Sequence, residues 1–360
     1  VRLLNALAIG YSENEQLDEA LAINGQVLAL RTVQGDSLGI SRTWGNLSLL
    51  YRQMGRHAEA MDALAEAERW NTLTGNAEGE VAVMVSRAAI YHGLGRDSEC
   101  VQVANAALER VQTVPVRHAR GQALLFRAMA QMRLGRADDA LADVDRAISA
   151  LEADGGYYYL NFALQWRVAL LLELGRLPEA RAALADFRQA LDESDNPRLQ
   201  TIQHLYAGTL ALEEQQNQVA LAELEQARIT FEARRNDRRD LASRDGLFGN
   251  AGQLFGVMGQ THLALGDTLQ AWQITERGQA LGFRERLGDS DGTPDLAAVQ
   301  KVLAEADAVL IQACETAVRP LTWFVITPTS LTAVNADDLA PMLSRARLVL
   351  GQLASGESLE

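Results

Sequence analysis

Lysine is almost missing from this chain: Lys301 is the single one among 33 basic residues. Without a lysine after a glycine-rich run, no G-x-x-x-x-G-K-[ST] phosphate loop can be written, which excludes P-loop nucleotide chemistry. Cysteine is nearly as scarce, and Cys100 and Cys314 make neither a metal-spaced pair nor a disulfide framework. A reduced, cytoplasmic setting is the expectation. Aromatic residues make up only 6% of a chain that is 48% hydrophobic, so the apolar content is alanine and leucine, which suits closely packed helices better than sheets. No apolar run approaches the roughly 20 residues a membrane span needs, and Val1-Arg2-Leu3-Leu4 does not read as a signal peptide. Positive charge is short as well. A formal net charge of −14 repels phosphate backbones and anionic lipid, so neither nucleic acid nor a membrane is an expected partner.

What the chain does contain is a repeat. The turn Met54-Gly55-Arg56 returns as Leu94-Gly95-Arg96, Leu134-Gly135-Arg136 and Leu174-Gly175-Arg176, a period of 40 residues. Five residues after each glycine stand Ala60, Cys100, Ala140 and Ala180, and the same frame extends back to Ala20 and on to Ala220. Small residues recur twelve positions before that slot at Ala8, Ser48, Ala88, Ala128 and Gly208, and seven after it at Ala67, Ala107, Ala147 and Ala227. A period between 20 and 50 residues marks a stack of identical supersecondary units. Each unit reads as two antiparallel helices joined at a glycine that takes the left-handed cap conformation. The small slots let the paired helices approach closely.

Tyr11, Tyr51 and Tyr91 stand three residues after the small slot. This order of small residue, aromatic, glycine turn and paired alanines resembles the tetratricopeptide repeat, in an elongated form. The resemblance implies a mainly α chain, a right-handed α-α superhelix of about seven helix pairs over residues 1–287, the last unit being longer. The seventh unit, with Gly266 and Ala271, is delayed by about eleven residues that hold Arg234, Arg235, Arg238, Arg239 and Arg244. These read as a helix extension whose arginines pair with neighbouring aspartates, or as a docking surface for an acidic partner.

In such repeats the first helix of each pair lines a concave groove. Its slots here are residues 45, 49 and 52 and their 40-residue successors. The candidate peptide-binding residues are Arg52, Val85, His92, Leu125, Met129, Met132, Gln165, Leu172, Leu205 and Leu212. The Lys and Asn residues that clamp a terminal carboxylate in chaperone-binding relatives are absent. An apolar, methionine-bearing groove suits an amphipathic helix or an internal peptide segment. The competing reading is that longer helices make the same stripe ordinary core.

Residues 288–294 form a turn-rich linker. A short helix from Asp295 to Glu305 is expected next. Two strand-like runs, 308–314 and 321–327, follow as a hairpin around Arg319-Pro320, and a further helix is expected from Leu339 to Leu353. A last repeat, a linker, a short helix and a strand pair ending Trp323-Phe324-Val325-Ile326-Thr327 resemble the junction in bacterial TPR-CHAT proteins, where repeats precede a caspase-like cysteine peptidase domain. On that resemblance residues 295–360 are the opening part of a CHAT-like α/β domain. The chain is then the regulatory or substrate-recruiting half of a peptidase, and that downstream domain is one of its partners. The alternative is a stand-alone adaptor whose C-terminal α/β element mediates dimerisation. In that family the catalytic His and Cys lie beyond these opening strands, so no catalytic residue is carried over.

No residue pattern assembles an active site, and no cofactor or metal is expected. Gly35-Asp36-Ser37-Leu38-Gly39 fits the nucleophile-elbow spacing, but helix is expected on both sides, and Gly75 and Gly79 repeat it without the serine. Gln312-Ala313-Cys314 echoes the start of a caspase nucleophile signature, yet none of the five histidines follows it. Cys314 reads as a small apolar strand residue.

Overall fold

The computed structural model describes residues 1–13, 16–192, 197–237, 248–287, 295–306, 308–314 and 322–335. The expected linker 288–294, the Arg319-Pro320 turn, the helix from Leu339 to Leu353 and the arginines Arg238, Arg239 and Arg244 lie outside the described residues. Among the described residues there are seven helix pairs: α1 (Arg2–Glu13) with α2 (Leu17–Gln34), α3 (Ser37–Gln53) with α4 (His57–Thr74), α5 (Ala77–Gly93) with α6 (Asp97–Arg110), α7 (Ala119–Arg133) with α8 (Ala137–Asp154), α9 (Tyr157–Glu173) with α10 (Leu177–Asp192), α11 (Pro197–Glu213) with α12 (Asn217–Asp237), and α13 (Phe248–Ala264) with α14 (Thr268–Leu287). A short helix, α15 (Leu296–Ala306), precedes three strands, β1 (Leu310–Cys314), β2 (Thr322–Ile326) and β3 (Leu331–Asn335).

The turn within each pair is built the same way each time. Gly55, Gly95, Gly135 and Gly175 have φ between 66° and 74°, a conformation that a side chain makes costly. The next residue then returns its N–H to the carbonyl five positions earlier, Arg56 to Tyr51 at 2.8 Å and Arg96 to Tyr91 at 2.9 Å. This closes the orphan carbonyls at the helix end. The arginine side chain does two further things. It pairs with the acid three residues on, as Arg56–Glu59, Arg96–Glu99, Arg136–Asp139 and Arg176–Glu179. Where the slot above is tyrosine it also stacks, with Arg56 4.8 Å from the Tyr51 ring centre and Arg96 4.5 Å from that of Tyr91. Gln215 holds the positive-φ position in the sixth pair, at 61°.

A second set of glycines closes the second helices. Gly35, Gly75 and Gly155 have positive φ, and Asp36 and Asn76 then accept the N–H of Gly39 and Gly79 at 2.9 and 3.2 Å to start α3 and α5. Ser37, the would-be nucleophile, is simply the first residue of α3. The connection after α6 departs from this plan. Pro115 stands where the glycine would be, α6 stops at Arg110, and the chain re-enters α7 through His118 at φ 62°, whose N–H is held by Asp154 at 3.0 Å. Proline cannot supply the capping N–H and restricts the residue before it to extended conformations.

The core follows the frame. Ala20, Ala60, Cys100, Ala140, Ala180, Ala220 and Ala271 are each 0% exposed. At Gly208, in the small slot twelve positions before Ala220, the paired helices also approach closely: an added Cβ would come 2.5 Å from the Leu224 side chain and 3.2 Å from the Ala220 carbonyl. The chain divides into two compact units, one of Val1–Leu199 with Arg234–Gly246, the other of Gln200–Ala233 with Leu247–Glu360.

In the second unit the strands form a sheet in the order β1-β2-β3, antiparallel throughout, with Leu310 opposite Ile326 and Ile326 opposite Leu331. The expected hairpin is therefore present, and β3 is an addition. The hydroxyl of Thr327 accepts the N–H of Ser330 at 2.9 Å in a tight turn that returns the chain, a local signal hidden in Thr327-Pro328-Thr329-Ser330. Phe324 and Ile326, on one face of β2, pack with Ala271 and Trp272 of α14 and with Leu296, Val299 and Leu303 of α15. The indole N–H of Trp272 donates to the Gln312 side-chain carbonyl at 3.1 Å, and the Gln312 amide donates to Glu276. A bare hairpin is marginal in water, and this one is held because its apolar face is covered by the last helix pair and α15.

Candidate functional site

The first unit contains five helix pairs, and the first helix of the second pair shows one clear stripe to solvent. On α3 that stripe runs through Leu38, Arg42, Asn46, Leu49 and Gln53, spaced so that all fall on one side of a 3.6-residue helix. The central slot of the stripe is apolar in every one of the five: Ile9, Leu49, Ala89, Met129 and Ala169. Its accessibility changes along the chain. Ile9 is 56% and Leu49 38% exposed, whereas Ala89 is 5% exposed.

The ten groove residues expected from the repeat frame divide accordingly. Val85, Leu125, Leu172, Leu205 and Leu212 are buried; Arg52, His92, Met129, Met132 and Gln165 are partly exposed. The physical reason lies in the helices that carry them. Every residue of α11 from Leu205 to Leu212 is buried, so Leu205, Thr209 and Leu212 are as buried as its opposite face. Ile9 stands one period before Leu49, outside the slots that run from residue 45 onward.

At the ends of the first helices a polar cluster gathers. His92 Nδ1 lies 3.8 Å from Asp97, Arg133 donates both to Asp97 and to the His92 carbonyl, and Arg52 stands near enough to act on the ring. Burial, then the Arg133 charge, push the His92 pKa down to about 4, against the opposing pull of Asp97. The imidazole is thus neutral at physiological pH. On the other side of the first helices three arginines spaced by the repeat meet the acidic second helices. Arg87 pairs with Glu68 at 2.7 Å, Arg127 holds buried Asp143 through two bonds of 2.6 and 2.7 Å, and Arg167 reaches Asp145 and Asp186 at 3.0 and 3.3 Å.

Among the described residues nothing arranges a nucleophile beside a base. Cys100 fills an alanine slot, its thiol 3.4 Å from the Phe126 carbonyl, and burial pushes its pKa up to about 12. A thiol so disposed is inert. The Cys314 side chain lies outside the described residues. Among the described residues no group of three His, Cys, Asp or Glu is placed to hold a metal ion, and no helix is long and apolar enough to cross a membrane.

Comparison with known proteins bears on the fold. A family model described as tetratricopeptide repeat matches residues 1–69. No curated protein sequence matches the chain. Among solved structures, a Rap protein in complex with competence and sporulation factor superposes with a TM-score of 0.61 at 13% identity, over 79% of this chain and 75% of the other. The apo form of RapI gives 0.58 at 13% identity, over 80% and 98%. A signal-transduction ATPase of the STAND class with a tetratricopeptide repeat sensor, from Pyrococcus horikoshii, gives 0.52 at 11% identity, over 84% of this chain and 43% of that one. At such identities the likeness speaks for the fold alone. The chain is mainly α, with the helix-pair fold of tetratricopeptide repeat proteins and a small antiparallel sheet at its C-terminal end.

Proposed function

We propose that this chain is a protein-interaction scaffold whose recognition surface is the solvent stripe of the first helices in its first unit. The observation that carries the reading is the central slot of that stripe. It is apolar in five successive repeats, and yet at Ile9 and Leu49 the side chains are left in water. A solvent-facing helix stripe has no folding reason to stay apolar, and exposed apolar residues one repeat apart are what a bound segment would cover. Partly exposed Met129 and Met132 extend the row with side chains that adapt to varied partners. The Rap protein crystallised with competence and sporulation factor lends support by analogy of fold.

The test uses a displayed random-peptide library panned on the 360-residue chain. Peptides retained by the parent should be lost on Ile9→Glu with Leu49→Glu, and weakened by Met129→Glu with Met132→Glu, with the helical signal unchanged. Retention of the same peptides by both pairs would remove the surface from consideration.

The further reading is that the chain is the regulatory or substrate-recruiting part of a CHAT-like cysteine peptidase. Its support is the order of elements after the last helix pair, a short helix and then antiparallel strands whose inner face packs on Trp272. An α/β element seated on the repeats in this way would carry a partner's arrival to whatever follows the sheet. Expressing the native reading frame beyond Glu360 should yield a cysteine-dependent peptidase. A frame that encodes no further His and Cys favours the stand-alone adaptor, with the sheet as its dimerisation element.

A further inference from the structure

The two kinds of helix in the first unit differ in charge. The first helices, α1, α3, α5, α7 and α9, carry eight arginines against four glutamates, a net of +4. The second helices, α2, α4, α6, α8 and α10, carry six arginines against eighteen carboxylates, a net of −12. Part of the positive charge is engaged internally: Arg87, Arg127 and Arg167 point away from the solvent stripe and pair with acids of the second helices. Arg2 and Arg42 do not. They occupy the same slot one repeat apart, both are exposed, and neither has an ion-pair partner among the described residues. Each stands seven residues before an exposed apolar residue of the same stripe, Ile9 or Leu49, two turns along one side of its helix.

We infer that this surface takes an acidic segment of another protein, its apolar side chains covering Ile9 and Leu49 and its carboxylates meeting Arg2 and Arg42. The inference rests on the stripe being the recognition surface and names the class of partner it would accept. In a protein of net charge −14, unpaired arginines beside exposed aliphatic side chains make a local surface complementary to anionic, amphipathic chains. Glu68, Asp143, Asp145 and Asp186 of the second helices are engaged by Arg87, Arg127 and Arg167 on the side of the first helices away from the stripe. A bare polyanion would leave Ile9 and Leu49 uncovered, which is why the partner is assigned as protein and not nucleic acid.

The experiment is the same random-peptide selection, read for composition and followed by affinity measurement with the enriched peptides as labelled probes. Enriched peptides should be net negative with spaced apolar residues. Their binding should weaken about tenfold or more on Arg2→Glu with Arg42→Glu, less on Arg2→Gln with Arg42→Gln, and should fall as salt is raised. Neutral or basic enriched peptides would overturn the inference. So would affinity unmoved by charge reversal but abolished by Ile9→Glu with Leu49→Glu, an outcome that leaves the recognition surface standing. If no peptide is enriched, or none depends on either pair, both readings fall. Circular dichroism of each variant guards against loss of fold being read as loss of binding.

Discussion

At the scale of single residues, position in the repeat decides chemistry. Cys100 is a thiol by composition and an alanine by location, fully buried and with its pKa pushed up to about 12. His92 is the more consequential case. Burial, Arg133 and Arg52 hold its folded-state pKa at about 4, below the ordinary value of 6.5. The unfolded chain therefore binds a proton between those values that the folded chain does not. Stability from this group is full above pH 6.5, falls as pH drops through that window and is gone below about 4, an effect of about 3 kcal/mol. Urea midpoints measured from pH 7 to pH 4 should fall for the parent and fall less for His92→Gln. Parallel profiles would mean that other groups govern the acid limb.

At the scale of the element, the helix pair is specified by one glycine, one alanine and the arginine between them. Glycine sets the left-handed turn, the arginine ties the start of the second helix to an acid three residues on, and the alanine allows the crossing. Arg96 and Arg176 hold the carboxyls of Glu99 and Glu179 below the usual carboxylate range, but these pairs are exposed and small in effect. The alanine matters more. Ala140→Leu inserts three carbons where nothing reaches solvent, and should lower stability by about 1 to 3 kcal/mol. A thermal melt matching the parent would mean that the crossing can open to admit the side chain.

At the scale of the whole chain, the end of the second unit is finished by something other than a repeat. α15 and the sheet cover Ala271 and Trp272, on a face of α14 that a further helix pair would otherwise be needed to bury. Trp272→Ala leaves a cavity there and should cost about 3 to 5 kcal/mol, and a chain cut after Leu287 should expose the indole and shift Trp272 fluorescence to the red. Unchanged emission in a background where the other tryptophans are replaced by phenylalanine would show that the sheet contributes nothing to burying Trp272.

Much of this was legible in the sequence. The alanine frame, the glycine turns, the seven helix pairs, the short helix and the first hairpin are local or periodic features, and a 40-residue period repeats the same local solution often enough to stand out. The third strand was not read, because Thr327-Pro328-Thr329-Ser330 is a weak turn signal and β3 is short. The candidate site was half legible. Periodicity told which residues share a side of the first helices, and the sign of the charge on each helix could be counted. It could not tell that the same slot is open at Ile9 and Leu49 and closed at Ala89. Accessibility depends on the neighbours that close over a helix, and those are chosen by packing between segments far apart in sequence, which only the tertiary structure decides.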